Sequence, residues 1–446
     1  MSITKDISPV QLEQMRNDYL ENEKARIVRN ALTKNDIGTI SCDFVAARAN
    51  PYIFSIDIET MPVTNQKASG RCWIFSALNV LREIIAKKYQ IKEFELSQNY
   101  VAFYDKLEKV NFYLEAVLQE SKVASMHDET IRFLMETAVG DGGQWDMFVS
   151  LVKKYGICPK AAMPETYQSS HTRGMNALIN QRLHRFTAEV FKLKDSGTDE
   201  ELGKLKEECL KECYGLICSC FGMPPESFAF EYRDKDGKYH CEQNVRPQDF
   251  YEKYLGTDMD EYVGIINGPT ADKPFWQMYT VKYLGNVIGG NPVSFLNLPM
   301  DRFKELILDQ LKAGELVWFG CDCGKDGDRK TGLWDDRQFR YEETFDMNLD
   351  MSKEDMLDTR HSAMNHAMVL TGVNLENDRP TRWKIENSWG EEPGNKGYFI
   401  CSDTWFDRYV YEAVVHRKYL SEKELAILQE TPHMLEPWDP FGSLAD

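Results

Sequence analysis

The segment QKASGRCWIFSALN, residues 66–79, sets one cysteine between an arginine and a tryptophan at the head of an apolar run. Downstream of Ser69, Cys72, Phe75, Leu78, Leu81 and Ile85 recur at helical spacing, which predicts a helix with Cys72 in its first turn. At that position the helix dipole and unpaired N–H groups stabilise a thiolate, and a neighbouring imidazolium lowers the thiol pKa further. A nucleophilic cysteine then requires a histidine within hydrogen-bond reach and a third group that orients it. The competing reading is an inert core thiol, because free cysteine is among the most buried residue types.

Both missing groups occur late in the chain. His366, in MNHAMVLTGV, opens an apolar strand, where a polar residue is stranded unless it faces a cleft. Asn387, in WKIENSWG, lies on the next strand-like segment. If the two strands pair as a hairpin, the Asn387 amide oxygen accepts the imidazole N–H and fixes its tautomer. Gln66 precedes Cys72 by six residues, so its amide is a candidate partner for the Cys72 backbone N–H in an oxyanion hole. Trp389 is positioned to shield the His–Asn bond from water.

The blocks QKASGRCWIFSA, NHAMVLTGV and WKIENSWGEEPGNKGYF resemble the three signature segments of papain-like cysteine peptidases. Other landmarks follow in the same order: LSQNY after the catalytic helix, GDGGQW as the glycine-rich wall of the cleft, and MPETY as the loop beyond it. Cys72 and His366 are 294 residues apart, against about 130–150 in ordinary members. The excess calls for insertions at residues 103–135 and, mainly, 169–290. With its charged amino-terminal arm and the ending EPWDPFGSLAD, the chain resembles the bleomycin hydrolase and aminopeptidase C branch.

That resemblance implies an α+β, papain-like two-lobed fold: a helical lobe, a β-barrel-like lobe and a large, mainly helical hook insertion. The expected division is an arm and lead-in (1–60), a helical lobe with the nucleophile (61–168), the hook (169–290), a β-rich lobe with His366 and Asn387 (291–430), and a tail in the active-site cleft (431–446). It further implies a homohexamer, peptide substrates with a free N-terminus, and no metal or organic cofactor. Gly142 and Gly143 are expected to bind substrate, and Ala445 and Asp446 to present the terminal carboxylate to its α-ammonium. Unit charges 4 Å apart attract by about 4 kcal/mol at an effective dielectric of 20, enough to favour a free amino terminus. Family members commonly end in a small residue, so Asp446 departs from the pattern. It leaves open a second carboxylate, a tail pushed too far, or trimming.

The remaining sequence is consistent with this. With 53 Lys and Arg against 71 Asp and Glu, the formal charge of −18 disfavours nucleic-acid and membrane-surface partners. The amino terminus has no apolar h-region and no apolar stretch approaches the ~20 residues of a membrane span, so a cytoplasmic location is expected. Eleven cysteines argue against a complete disulfide framework and fit a reducing compartment. Residues 97–138, 143–155 and 174–222 read as helical. A hairpin follows around KDGK, then an amphipathic helix after Met300, then mostly strands. Cys209, Cys213, Cys218 and Cys220 lack C-x-x-C pairing and read as core packing rather than a metal site. CDCGKDGDRKTGLWDD lacks the order of a calcium loop and reads as a solvated turn. His361 reads as a loop histidine.

Overall fold

The computed structural model describes residues 6–445. The Cys72 helix, Cys72–Tyr89, runs through the middle of the molecule, and every residue from Cys72 to Arg82 is buried. Its apolar residues pack on the helices Gln98–Ser121 and Trp145–Tyr155. Three polar residues at i, i+3 spacing, Ser76, Asn79 and Arg82, form a stripe on one face of the helix. All three hydrogen-bond the strands opposite: Ser76 Oγ to Ala367 O at 2.9 Å, Asn79 Nδ2 and Arg82 Nη2 to Glu386 Oε1 at 2.9 Å each. A buried polar group without a partner is costly, so the stripe fixes the helix rotation and aims Cys72, four residues before Ser76, at the same strands.

Those strands are the hairpin His366–Glu376 and Arg379–Glu386, antiparallel with Val369 opposite Glu386 and Glu376 opposite Arg379. The two-residue turn has both central residues in the left-handed region, Asn377 at φ 52° and Asp378 at φ 62°. That is the type I′ geometry that matches strand twist, and Asn and Asp tolerate it. The hairpin therefore sets the first residue of one strand beside the residue after the other. The sheet continues antiparallel to Val317–Cys321, Val410–His416 and Tyr262–Ile266 on one side and to Tyr398–Ser402 on the other. Its own core lies under the helix Met300–Lys312. Helices on one side and a mainly antiparallel sheet on the other make the fold α+β and papain-like.

The helical stretches are more interrupted than sequence periodicity suggests. The first, 97–138, breaks after Ser121 and resumes at Glu129–Thr137. The second, 174–222, divides into Arg173–Leu193 and Asp199–Phe221, where Thr198 and Glu201 form a capping box that starts a new helix. Cys209 and Cys213 face the core with Ile217 and Phe221. The hairpin Phe228–Arg233 with Tyr239–Val245 turns at residues 234–238. The helical insertion ends earlier than residue 290, because Tyr262–Ile266 and Gln277–Val281 already belong to the main sheet. The solvated-turn reading of residues 321–336 is corrected. Asp322 is buried and accepts from Ser362 Oγ and Asn365 Nδ2, and fully buried Asp335 accepts from Arg337 and Asn50. Each burial is offset by hydrogen bonds, which hold the segment as a fixed loop.

At the seam between the lobes lie two carboxyls, buried Glu412 of the strand Val410–His416 and half-buried Asp146 of the helix Trp145–Tyr155. Burial pushes Asp146 up to about 7 and Glu412 well above the ordinary range, with Asp146 adding to the shift on Glu412. A carboxyl raised in the folded state favours folding only while protonated, so its contribution is lost as pH rises from the unfolded value of about 4.3. Glu412→Gln is thus expected to raise the melting temperature at pH 8 by about 2 °C or more and to change little at pH 4. Thermal melts at the two pH values check this; equal shifts at both would contradict the ionisation account.

Candidate active site

Cys72 is the first residue of its helix, with Ile74 and Phe75 N–H groups bonded to Arg71 O. Its sulfur is completely buried and accepts the Ala367 N–H at 3.5 Å, which puts it against the first peptide of the His366 strand. Arg71 is buried too, but its charge is met by a two-pronged contact with Glu165, at 3.2 and 2.8 Å, and Nε donates to Ser69 Oγ. This ion pair ties the turn before Cys72 to the loop MPETY, so the helix start is held from both sides.

His366 Nε2 lies 3.0 Å from Asn387 Oδ1, and both residues are buried. Asn387 Oδ1 also accepts the Ser388 N–H at 2.8 Å, which fixes the amide with its oxygen toward the ring. Its Nδ2 has no partner among the described residues. Trp389 stacks on the imidazole with centroids 4.9 Å apart and planes at 30°, covering the His–Asn bond. Burial, chiefly, and the Arg329 charge push His366 down to about 4, while the Asn387 bond opposes them. An imidazolium at this site therefore needs an anion beside it. The sulfur against Ala367 is the group placed to become one.

Gln66 is oriented without ambiguity. Its Nε2 donates to Ser69 O at 2.6 Å, its Oε1 accepts from Ser388 Oγ at 2.6 Å, and its backbone N–H bonds Ser388 O at 2.8 Å. One amide hydrogen remains for an oxyanion. Ser388 thus couples Gln66 to Asn387 through three hydrogen bonds, a role that its place beside Asn387 in NSW does not reveal by itself. His361 is exposed and lies by Lys325, away from this constellation.

The glycine-rich wall is built around a second missed residue, Asp141. Its carboxylate accepts from Gly70 N–H at 2.9 Å, Lys106 Nζ at 2.5 Å, Asn176 Nδ2 at 2.8 Å and Thr172 Oγ1. Its carbonyl accepts Trp73 Nε1–H at 2.8 Å. Lys106, Asn176 and Thr172 hold the carboxyl far below the usual carboxylate range despite burial, which acts the other way and is the largest single influence. Gly142 and Gly143 are glycines for want of room. A Cβ on Gly143 would lie within 2.6 Å of the Trp73 ring, and one on Gly142 would meet Leu444 and Ala445 O at 2.7 and 2.8 Å. Gly143→Ala is accordingly expected to displace Trp73 and to cost about 2 kcal/mol or more of stability, read by chemical denaturation.

The tail approaches this wall as a strand does. Gly143 N–H donates to Ala445 O at 3.2 Å in an antiparallel bridge, and Gln144 Nε2 donates to Ser443 O at 2.8 Å. Ala445 is fully buried, Phe441 packs over Gly268, and Asp439 pairs with buried Lys273 at 2.9 Å. Asp446 lies outside the described residues. Among them, no group of three or more His, Cys, Asp and Glu is arranged to hold a metal ion. No helix there is long and apolar enough to cross a membrane.

The site can be compared with known proteins. The model of the Peptidase C1-like family matches residues 6–442. An Aminopeptidase C from Lactobacillus delbrueckii subsp. lactis is 45% identical over 447 residues, covering 99% of each chain. One from Lactococcus lactis subsp. lactis is 44% identical over the whole of both chains. The crystal structure of PepW from Lactobacillus rhamnosis superposes with a TM-score of 0.97 at 44% identity, covering 99% of each chain. Sequence blocks, fold and full-length similarity agree, and the chain belongs to the Peptidase C1-like family, in the papain-like branch of the bleomycin hydrolases and aminopeptidases C.

Proposed function

We propose that the protein is a cytoplasmic cysteine aminopeptidase that removes N-terminal residues from peptides. Cys72 as thiolate attacks the scissile carbonyl, and His366 as imidazolium protonates the leaving amine. The Cys72 N–H and the remaining Gln66 amide hydrogen receive the oxyanion. His366 then activates water to release the acyl group, with Asn387 holding the ring throughout. No step calls for a metal or an organic cofactor.

The observation that carries the exopeptidase reading is the bridge between Gly143 and Ala445. The segment Ser443–Ala445 fills the wall where residues upstream of a scissile bond would lie, so a substrate has room for little more than one residue there. A carboxylate following Ala445, such as that of Asp446, would attract an α-ammonium and favour peptides with a free N-terminus. Removal of Leu444–Asp446 is expected to lower kcat/KM on free peptides at least tenfold and to create turnover of N-acetylated peptides. If neither rate moves, the tail does not determine exopeptidase behaviour; if blocked peptides are already cleaved by the intact chain, it is an endopeptidase.

A homohexamer fits the amino-terminal arm. The helices Pro9–Glu21 and Glu23–Leu32 bury none of their residues, and Val10, Leu12, Met15, Leu20 and Ile27 point outward. Apolar surface of that extent calls for a partner copy. Light scattering at micromolar concentration is expected to give six times the chain mass, and a monomer would refute the assembly. The charge of −18 supports a protein free of nucleic acid and membrane.

A further inference from the structure

The loop that carries buried Asp322 and Asp335 also presents Arg329 beside the site. Its guanidinium lies 4.2 Å from the Trp389 ring centroid, over the same indole that stacks on His366. Arg329 is exposed and forms no hydrogen bond or ion pair among the described residues. Glu391 and Glu392, just past Trp389, are exposed and do not pair with it. The loop beneath is fixed: Asp328 accepts from Lys330 N–H and Thr331 Oγ1, Gly332 N–H bonds Asp328 O, and Gly394 N–H bonds Lys330 O. The result is a cation on a hydrogen-bonded turn, without an ion-pair partner among the described residues.

Its location gives it a side of the scissile bond. On the proposed mechanism, on which this inference rests, His366 gives its proton to the leaving amine, so the departing fragment lies on the imidazole side. The tail occupies the opposite side, at Gly143. A leaving fragment passes from His366 across Trp389, and extended chain advances about 3.3–3.6 Å per residue. The ring contacts of 4.9 and 4.2 Å put the guanidinium no more than about 9 Å from the imidazole, a distance that two to three extended residues span.

We infer that Arg329 is a specificity residue that binds a carboxylate on the leaving fragment, within three residues of the scissile bond. A planar guanidinium presents paired donors to a carboxylate, and one aromatic face already excludes water from it, which strengthens the contact. Two sources supply that chemistry: the α-carboxylate of a di- or tripeptide, or an acidic side chain early in a longer leaving fragment.

The test compares matched peptides. In one arm, kcat/KM is measured for Leu-Ala and Leu-Ala-amide; in the other, for Leu-Ala-Glu-amide and Leu-Ala-Gln-amide. For the wild-type chain the carboxylate-bearing member of at least one pair is expected to be preferred about tenfold or more, with KM carrying most of the difference. In Arg329→Gln that ratio is expected to fall close to one. Arg329→Lys, which keeps the charge without the planar fork, is expected to fall between. Because Arg329 also acts on His366, rates on both members of a pair can shift together, and only the ratio reports recognition. A preference in the first arm alone assigns the α-carboxylate, and in the second alone the acidic side chain. Ratios near one in the wild type, or ratios that survive Arg329→Gln, overturn the inference. Cleavage of no peptide by the wild type overturns the peptidase reading itself, a distinguishable result.

Discussion

Cys72→Ala is expected to fold and to lose at least about four orders of magnitude in kcat on every peptide, because nothing else in the site can form the acyl-enzyme. The nearby candidate is Cys321, opposite His366 across the strand pair, and it is disqualified by its surroundings. Burial, with the charges of its neighbours, raises its pKa well above the ordinary thiol value, so it stays protonated. Cys401 is held the same way. Fast alkylation by iodoacetamide is therefore expected at Cys72 and absent in the variant. A second consequence concerns His366. With no thiolate beside it, burial and Arg329 hold the imidazole of Cys72→Ala below the ordinary histidine range. In the wild type the neighbouring anion favours the protonated ring to higher pH, since opposite charges stabilise each other's ionised forms. Proton NMR of the ring in both proteins checks this. An unchanged titration would sink the thiolate–imidazolium pair, and activity within a hundredfold of wild type would sink the nucleophile.

Much of the site was legible because its parts lie in locally coherent segments. The Cys72 helix announces itself through apolar periodicity, and the strands of His366 and Asn387 through apolar runs. Apolar runs alone do not pair those strands, although the sequence holds the cue: Asn377-Asp378 between two strand-like runs is a turn pair suited to positive φ at both positions. The stripe Ser76, Asn79, Arg82 is equally visible, as polar residues at i, i+3 spacing in the otherwise apolar stretch Cys72–Arg82. Read as a docking face, it identifies the side that meets the hairpin.

What stayed hidden depends on long-range satisfaction of buried polar groups. A run of acidic residues between Cys321 and Asp336 looks solvated in one dimension, because local composition cannot reveal that Ser362, Asn365 and Asn50 arrive to bond it. The helix breaks at Ser121 and Leu193 follow from caps and packing of the insertion rather than from any lapse in periodicity. Ser388 and Asp141 escape notice for the same reason: each acts through partners brought from distant segments.

Asp141 carries the second large prediction. Four donors from the nucleophile loop, the long helix and the start of the insertion meet on one carboxylate, so Asp141→Ala strands the Lys106 ammonium in a buried site and orphans the Gly70 N–H. Breaking a buried pair by removing one partner typically costs about 3–5 kcal/mol, and chemical denaturation is expected to give a loss in that range. The pH dependence has a definite sign. A carboxyl whose folded pKa is depressed stabilises the fold above its unfolded value of about 3.9, and that stability drains away as pH falls below it. Wild-type stability should thus decline below pH 4 by more than that of Asp141→Ala. A positioning role is separated from a purely structural one by the double variant Asp141→Leu with Lys106→Met. Replacing both partners with apolar groups of similar size is often close to neutral for stability, yet Gly70 still loses its acceptor two residues before Cys72. Recovered stability with kcat still reduced about tenfold or more, and with slow alkylation of Cys72, is the expected pattern. Joint recovery of stability and kcat would show that the carboxylate only glues the wall in place.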